Sequence, residues 1–195
     1  MISGDGAWHI VGLASTTGCA AVCSLAAIWL SQCPVPWRRE RIAGAIALCL
    51  TALWAGVLAA LGPASMATAA AESLRNLSWL ALLLSLFAGD NGAGAVSRVR
   101  IVIASLVFVE LLQGGVLAAN AIFVGGPELV QAALGVSALL HMLVAIGTLV
   151  LLHNLYTAAS HGDRAGTRWL ALSLSALWVF ELNFYAVTWF AGDFP

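Results

Sequence analysis

Between Arg100 and Glu128 the chain carries a single charged residue, Glu110, and from Leu129 to Gly162 it carries none. Runs of this length have no water-facing side. A stretch of about 18 or more apolar residues can place its backbone in lipid only as a helix, because every N–H and C=O must then be satisfied within the segment. The rest of the chain agrees. Hydrophobic residues make up 62% of the 195 positions and charged residues 9%, against about 25% charged in a soluble domain. The runs are continuous and rich in Leu and Ala, not short alternating segments, so an all-α transmembrane bundle is expected and a β-barrel is not.

Six segments of spanning length can be drawn, at about 8–30, 42–61, 65–88, 101–124, 129–152 and 169–190, forming one domain over residues 1–195. The third is the weakest. Its purely apolar part is short ("LSWLALLLSLFAG"), and it reaches spanning length only by taking in Ser65–Ala71 together with Glu72, Arg75 and Asn76; its outer end is alternatively placed in the interface. Gly62-Pro63 and Gly125-Gly126-Pro127 read as compact turns, since Pro is accepted in the first turn of a helix and Gly in tight reversals. No internal repeat, linker or low-complexity tail is visible.

The chain has no Lys, so its eight positive charges are all Arg. Arg38, Arg39 and Arg41 follow the first run, Arg98 and Arg100 the third, and Arg164 and Arg168 the fifth, with Arg75 alone near the alternate side. By the positive-inside rule those three loops are cytoplasmic and both termini lie outside. Trp8, Trp37, Trp169 and Trp189 fall at run ends, where aromatic belts form. The N-terminus lacks the basic region of a cleavable signal peptide, so the first run is expected to be a true span. A net charge of −1 with dispersed arginines gives no surface for nucleic acid. Cys19, Cys23, Cys33 and Cys49 lack ligand-type flanking and read as small buried hydrophobes, neither a disulfide framework nor a metal site.

Rise per residue places the polar groups in depth. Glu110 is ten residues past Arg100, about 15 Å along a helix and hence near the middle of a hydrocarbon core about 30 Å thick. His141 and Glu181 are each twelve residues into their runs, about 18 Å from opposite faces. An ionisable group at such depth costs at least about 2.5–3.5 kcal/mol on insertion scales, so it is expected to face the interior with a partner. Helical spacing draws a stripe on each helix: Glu110, Gln113, Gly114 and Asn120; then Ser137, His141, Ala145 and Thr148; then Ser173, Glu181 and Tyr185. Glu110, His141, Glu181, Gln113, Asn120 and Tyr185 are therefore the candidates for ligand or proton sensing. Small and polar residues on one face also serve plain helix packing in lipid, and on this pattern His141 reads first as a structural hydrogen-bonder. Glu72, Arg75 and Asn76, at i, i+3 and i+4, form a secondary polar cluster that a local ion pair explains. No phosphate-binding glycine loop, H-E-x-x-H helix or G-x-S-x-G elbow occurs, and His161 with Asp163 in "SHGDRAGTR" reads as a solvated loop. Catalysis, a cofactor and a resident metal are accordingly not expected.

Three stretches carry a likeness to a known family. "AAVCSLAAIWLSQCPVPWRRERIAGAIALCLTALWAGVLA" has a helix, a basic turn and a helix with Ala52-Leu53-Trp54. "AESLRNLSWLALLLSLF" spaces Glu72, Leu74, Arg75 and Trp79. "LLHNLYTAASHGDRAGTRWLALSLSALWVFELNFYAVTWF" combines Asn154-Leu155-Tyr156, Arg168-Trp169, Phe180-Glu181-Leu182 and Tyr185. Together they resemble the N-terminal membrane region of PrsK-type sensor histidine kinases, which accompany the exosortase and PEP-CTERM sorting system of Gram-negative bacteria. The resemblance implies a multi-pass inner-membrane sensory module, with Glu181 in a shared polar core. Such kinases continue into a cytoplasmic region with a GAF-like sensor, a phosphoacceptor His and an ATP-binding domain. None of their boxes occurs here, so the chain reads as a sensor fragment or a stand-alone relative, and an outside C-terminus requires one more span before a kinase. The partners expected are the lipid bilayer, a second copy of the chain, and a downstream kinase region or response-regulator pathway. Two other classes stay open: a small transporter or channel subunit with midplane carboxylates, and a membrane scaffold that anchors a partner.

Overall fold

A computed structural model describes residues 4–32, 39–63, 65–90, 92–122, 126–158 and 164–191. Among them are six α-helices and no strand: α1 (Gly4–Gln32), α2 (Arg39–Leu61), α3 (Met66–Asp90), α4 (Gly92–Ile122), α5 (Pro127–Ala158) and α6 (Arg164–Ala191). Each overlaps one of the expected segments; α1, α5 and α6 extend past both of its limits, while α3 begins one residue later than expected and α4 ends at Ile122, the last two expected positions lying outside the described residues. Five helices are long and apolar enough to cross a membrane, over Gly12–Gln32, Arg39–Leu61, Val99–Val116, Glu128–Thr157 and Trp169–Phe190.

The sixth, α3, falls short of that composition, and its burial explains how it is tolerated. Thr68, Arg75, Asn76 and Ser78 are buried along its first half, and Trp79, Leu80, Leu83 and Phe87 along the rest. The other helices instead turn large apolar side chains outward, such as Leu25 and Trp29 on α1, Ile101 and Phe108 on α4, and Phe180 and Phe190 on α6. This reverses the soluble-protein rule and is what a lipid solvent selects.

Local sequence sets the ends of two connections. Gly62 takes φ 77° and donates its N–H to Leu58 O at 3.0 Å, a left-handed stop that a side chain would strain. Ser65 then caps α3: its Oγ accepts the Thr68 N–H at 3.0 Å, while the Thr68 hydroxyl reaches back to Gly62 O at 2.7 Å. At the start of α5, Gly126 O accepts from Leu129 N at 2.9 Å, and Pro127 occupies the first position, where no donor is missed. Both turns agree with the sequence expectation, apart from Gly125, which lies outside the described residues. Of the expected belt residues, Trp169 and Trp189 are exposed; the side chains of Trp8 and Trp37 lie outside the described residues. Arg39 and Arg100 are exposed, and Arg41 donates to Leu30 O; Arg38 and the side chains of Arg98, Arg164 and Arg168 lie outside the described residues, as do Cys33, His161 and Asp163.

The chain forms two compact units, Met1–Leu82 and Leu83–Pro195, divided within α3. In the first, α1 packs on α2, and Gly44 of α2 faces Leu30 of α1. The buried face of α2 is Ala47, Thr51 and Ala55, small residues at every fourth position. In the second unit α5 packs on both α4 and α6. A Cβ built on Gly147 would lie 2.5 Å from Leu106 Cδ2 and 3.3 Å from its Cγ, so glycine here leaves room for Leu106 of α4 to pack against the α5 backbone. Gly147→Ala is therefore expected to destabilise this unit by about 1–3 kcal/mol through overpacking. Gly115→Ala on α4, where a Cβ meets nothing within 4 Å, is expected to be neutral or stabilising by up to about 1 kcal/mol. Denaturant titration of both variants in detergent checks the contrast, and equal stabilities would contradict it.

Candidate functional site

His141 is fixed from three directions. Its Nδ1 lies 2.9 Å from Ser137 O, one turn back on α5. A carbonyl only accepts, so in this contact Nδ1 is the donor. The Gln113 side-chain nitrogen of α4 lies against both imidazole nitrogens. From α6 the Tyr185 ring stacks on the imidazole with centroids 4.0 Å apart and planes 19° from parallel, and Phe184 meets Tyr185 edge-on at 5.3 Å. Three helices thus converge on one ring.

These contacts also set the register of the carboxyls. Consecutive helices joined by short connections run antiparallel, so a step toward the N-terminus of α4 or α6 matches a step toward the C-terminus of α5. Gln113 pairs with His141, and Leu106 with Gly147; Glu110 accordingly stands level with Val144. Tyr185 pairs with His141, so Glu181, one turn earlier, stands level with Ala145. Glu110 and Glu181 are buried, and Val144 and Ala145 are fully enclosed. The two carboxyls therefore share a level about one helical turn, some 5 Å, from the imidazole. They do not form a chelate with it: among the described residues no three His, Cys, Asp or Glu side chains are placed to hold a metal ion.

The expected stripe on α5 is buried in full, at Ser137, His141, Ala145 and Thr148. On α4, Glu110 and Gln113 are buried but Gly114 is exposed, since one residue turns the helix by about 100° and carries it off the stripe. The side chain of Asn120 lies outside the described residues. On α6 Glu181 is buried and Tyr185 half-buried, whereas Ser173 is exposed and returns its hydroxyl to Trp169 O at 2.9 Å. The inward stripe there runs through Ala171, Leu174, Trp178 and Glu181 instead. Two buried atoms near this face lack a hydrogen-bond partner among the described residues, Gln113 Oε1 and Trp178 Nε1.

The secondary cluster belongs to the first unit, with Arg75 and Asn76 buried there. Arg75 is 1% exposed. Its Nε and Nη2 donate to Asn76 Oδ1 at 3.2 and 3.0 Å, and Nη2 lies 3.7 Å from Glu72 Oε1. The guanidinium also covers the Trp54 ring of α2, 4.1 Å from its centroid. One turn further along, Trp79 Nε1 donates to Thr51 Oγ1 at 3.2 Å, while that hydroxyl donates to Ala47 O at 2.7 Å. Sequence spacing finds Glu72, Arg75 and Asn76 but misses Trp54 and Thr51, which sit on another helix; the available signal was an aromatic residue on the preceding helix opposite the only arginine outside the basic loops.

Fold and site together define a helical membrane protein with a buried imidazole–amide–carboxyl layer in its second unit. No family model, no curated protein and no solved structure matches the chain.

Proposed function

We propose that the chain is a membrane-embedded sensory module, similar to the membrane region of PrsK-type sensor kinases, which reports the protonation state of its buried layer through the packing of α4, α5 and α6. On this proposal it has six spans with both termini outside, lies in a bacterial inner membrane, and passes its state to a downstream kinase region; it performs no catalysis itself. The observation that carries the proposal is the meeting of Gln113 and Tyr185 on His141, with two buried carboxyls one turn away. The imidazole and the carboxyls each change their hydrogen-bonding needs when a proton is gained or lost, and inside apolar helices such a change can be met only by neighbours. Two packings with different affinities for protons then shift in population with pH.

The test uses the full chain in liposomes, with its native cysteines replaced and spin labels at the outward-facing Leu112 of α4 and Val187 of α6. The distance between labels is expected to change on acidification, and Glu110→Gln/Glu181→Gln is expected to abolish the change without loss of protein from the membrane. A distance that stays constant with pH in the unsubstituted layer would sink the sensory proposal. The shared level of Glu110 and Glu181 favours a second function, a proton path. Proton flux in the same liposomes, lost in the same double variant, would place the chain with small transporters or channel subunits instead.

A further inference from the structure

The interior shared by α4, α5 and α6 is closed at one end and open at the other. The contacts of Gly147 and His141 place Leu106 of α4 and Trp178 of α6 about one turn beyond the carboxyl level, toward the N-termini of those two helices. Leu151, Leu155 and Leu174 follow on the same side. All five side chains are buried, and Trp178 is the largest fully enclosed one among the described residues. The hydroxyl of Thr148, buried beside them, is donated to Val144 O at 2.8 Å. Toward the turn between α4 and α5 the enclosure stops. Among the described residues α4 has no buried position after Gln113, α5 none before Gly135, and α6 only Thr188 after Glu181. At this end Ser137 and Thr188 are buried beside Ala138, and Tyr185 is half-buried.

The two ends differ in what they offer water. An apolar space stays dry, whereas a water molecule is held where two or more polar groups meet it. The leucines behind Trp178 offer none. Toward the α4–α5 turn, the hydroxyls of Ser137, Thr188 and Tyr185 and the Gln113 amide fall within about one helical turn of each other along the axis. We infer that the layer of Glu110, His141 and Glu181 exchanges protons through the α4–α5 end alone, by way of water held at Ser137, Thr188 and Tyr185, while Trp178 and the leucines seal it from the opposite end. The inference deepens the sensory function proposed above and rests on it. On that topology the open end is the outer one, so the layer follows the pH outside the membrane and is shielded from the pH within. The titratable groups facing one another across the layer are Glu110 from α4, His141 from α5, and Glu181 and Tyr185 from α6. Each proton comes from water and returns to it, and no other reactant is consumed.

Silver-ion accessibility tests this on the full chain with its native cysteines replaced, in sealed membrane vesicles of both orientations. Ag+ is small, is excluded from hydrocarbon, and blocks a thiol only where water carries it. The thiols left unblocked are counted by alkylation after denaturation. Gly126→Cys, at an exposed position before α5, reports which face carries the α4–α5 turn. The near-isosteric Ser137→Cys and Thr188→Cys are expected to be blocked from that face, and at least about tenfold more slowly from the other, since a thiol enclosed by apolar groups is inert. Leu151→Cys and Leu174→Cys are expected to resist from both faces. Blocking of these two as fast as Ser137→Cys, blocking of Ser137→Cys and Thr188→Cys from the opposite face, or no blocking of either would each overturn the inference. The label distances between α4 and α6 keep this result apart from the sensory function. One-sided blocking with a distance that ignores pH leaves the open end standing and removes the sensory function; a distance that changes with pH while Ser137→Cys and Thr188→Cys resist does the reverse.

Discussion

Asn76→Leu is expected to destabilise the first unit by about 3 kcal/mol, far more than loss of one hydrogen bond between neutral groups. Arg75 is almost completely enclosed, and Asn76 Oδ1 accepts from two of its nitrogens. Leucine fills a similar volume but offers the guanidinium nothing, so the penalty is that of a buried charge losing an acceptor that two of its nitrogens share. The Glu72 carboxylate, 3.7 Å from Nη2, and the Trp54 ring remain; the ring contributes up to about 2 kcal/mol in a desolvated setting. They reduce the loss without replacing a directed acceptor. Removing the cation as well, in Arg75→Met/Asn76→Leu, is expected to bring stability back to within about 1 kcal/mol of the parent, because an apolar pair of matching size does not need the acceptor. Denaturant titration in detergent measures both. An Asn76→Leu variant within about 0.5 kcal/mol of the parent would show that Arg75 does not depend on this contact.

The same cluster shows where sequence reasoning stopped. Within one helix, periodicity carries over directly: Ser137, His141, Ala145 and Thr148 are buried because positions separated by whole turns share a face, and nothing on α5 competes for that face. On α6 the spacing from Ser173 to Glu181 is eight residues, which leaves them about 80° apart around the helix. A hydroxyl can satisfy itself on the i−4 carbonyl, as Ser173 does, so polarity alone did not mark the inward side. Helix existence followed from the apolar runs, and so did the doubt over α3, whose buried Arg75, Asn76 and Thr68 account for its poor hydropathy. Contacts between helices were not legible. Trp54 with Arg75, and Leu106 with Gly147, depend on axial register, which two helices set jointly by close packing and which no single-helix pattern encodes. The depth count brought Glu110, His141 and Glu181 to roughly one level from rise per residue alone; the contacts of His141 refine this to two carboxyls together and the ring one turn away.

Exchanging two neighbouring residues, Glu110→Leu with Leu111→Glu, is expected to cost about 3 kcal/mol or more in inserted, folded protein, although composition and hydropathy stay the same. Glu110 is 1% exposed and Leu111 62% exposed, on adjacent positions of α4. The exchange turns the carboxyl by about 100°, from the face that meets α5 to the face that meets lipid. On insertion scales a carboxyl at the centre of a spanning helix costs about 2.5–3.5 kcal/mol, and in the native arrangement part of that is recovered from interior partners that lipid does not offer. The fraction of protein that is membrane-inserted and resistant to mild detergent should fall about a hundredfold, as follows from some 2.8 kcal/mol. Glu110→Gln is the control: it keeps the shape and most polar contacts of the interior, removes the ionisable group, and should insert as the parent does. If the exchanged protein inserted and folded normally, the outward face of α4 would not be a lipid face, and the buried layer beneath it would have to be explained as the interior of a protein that lives in water.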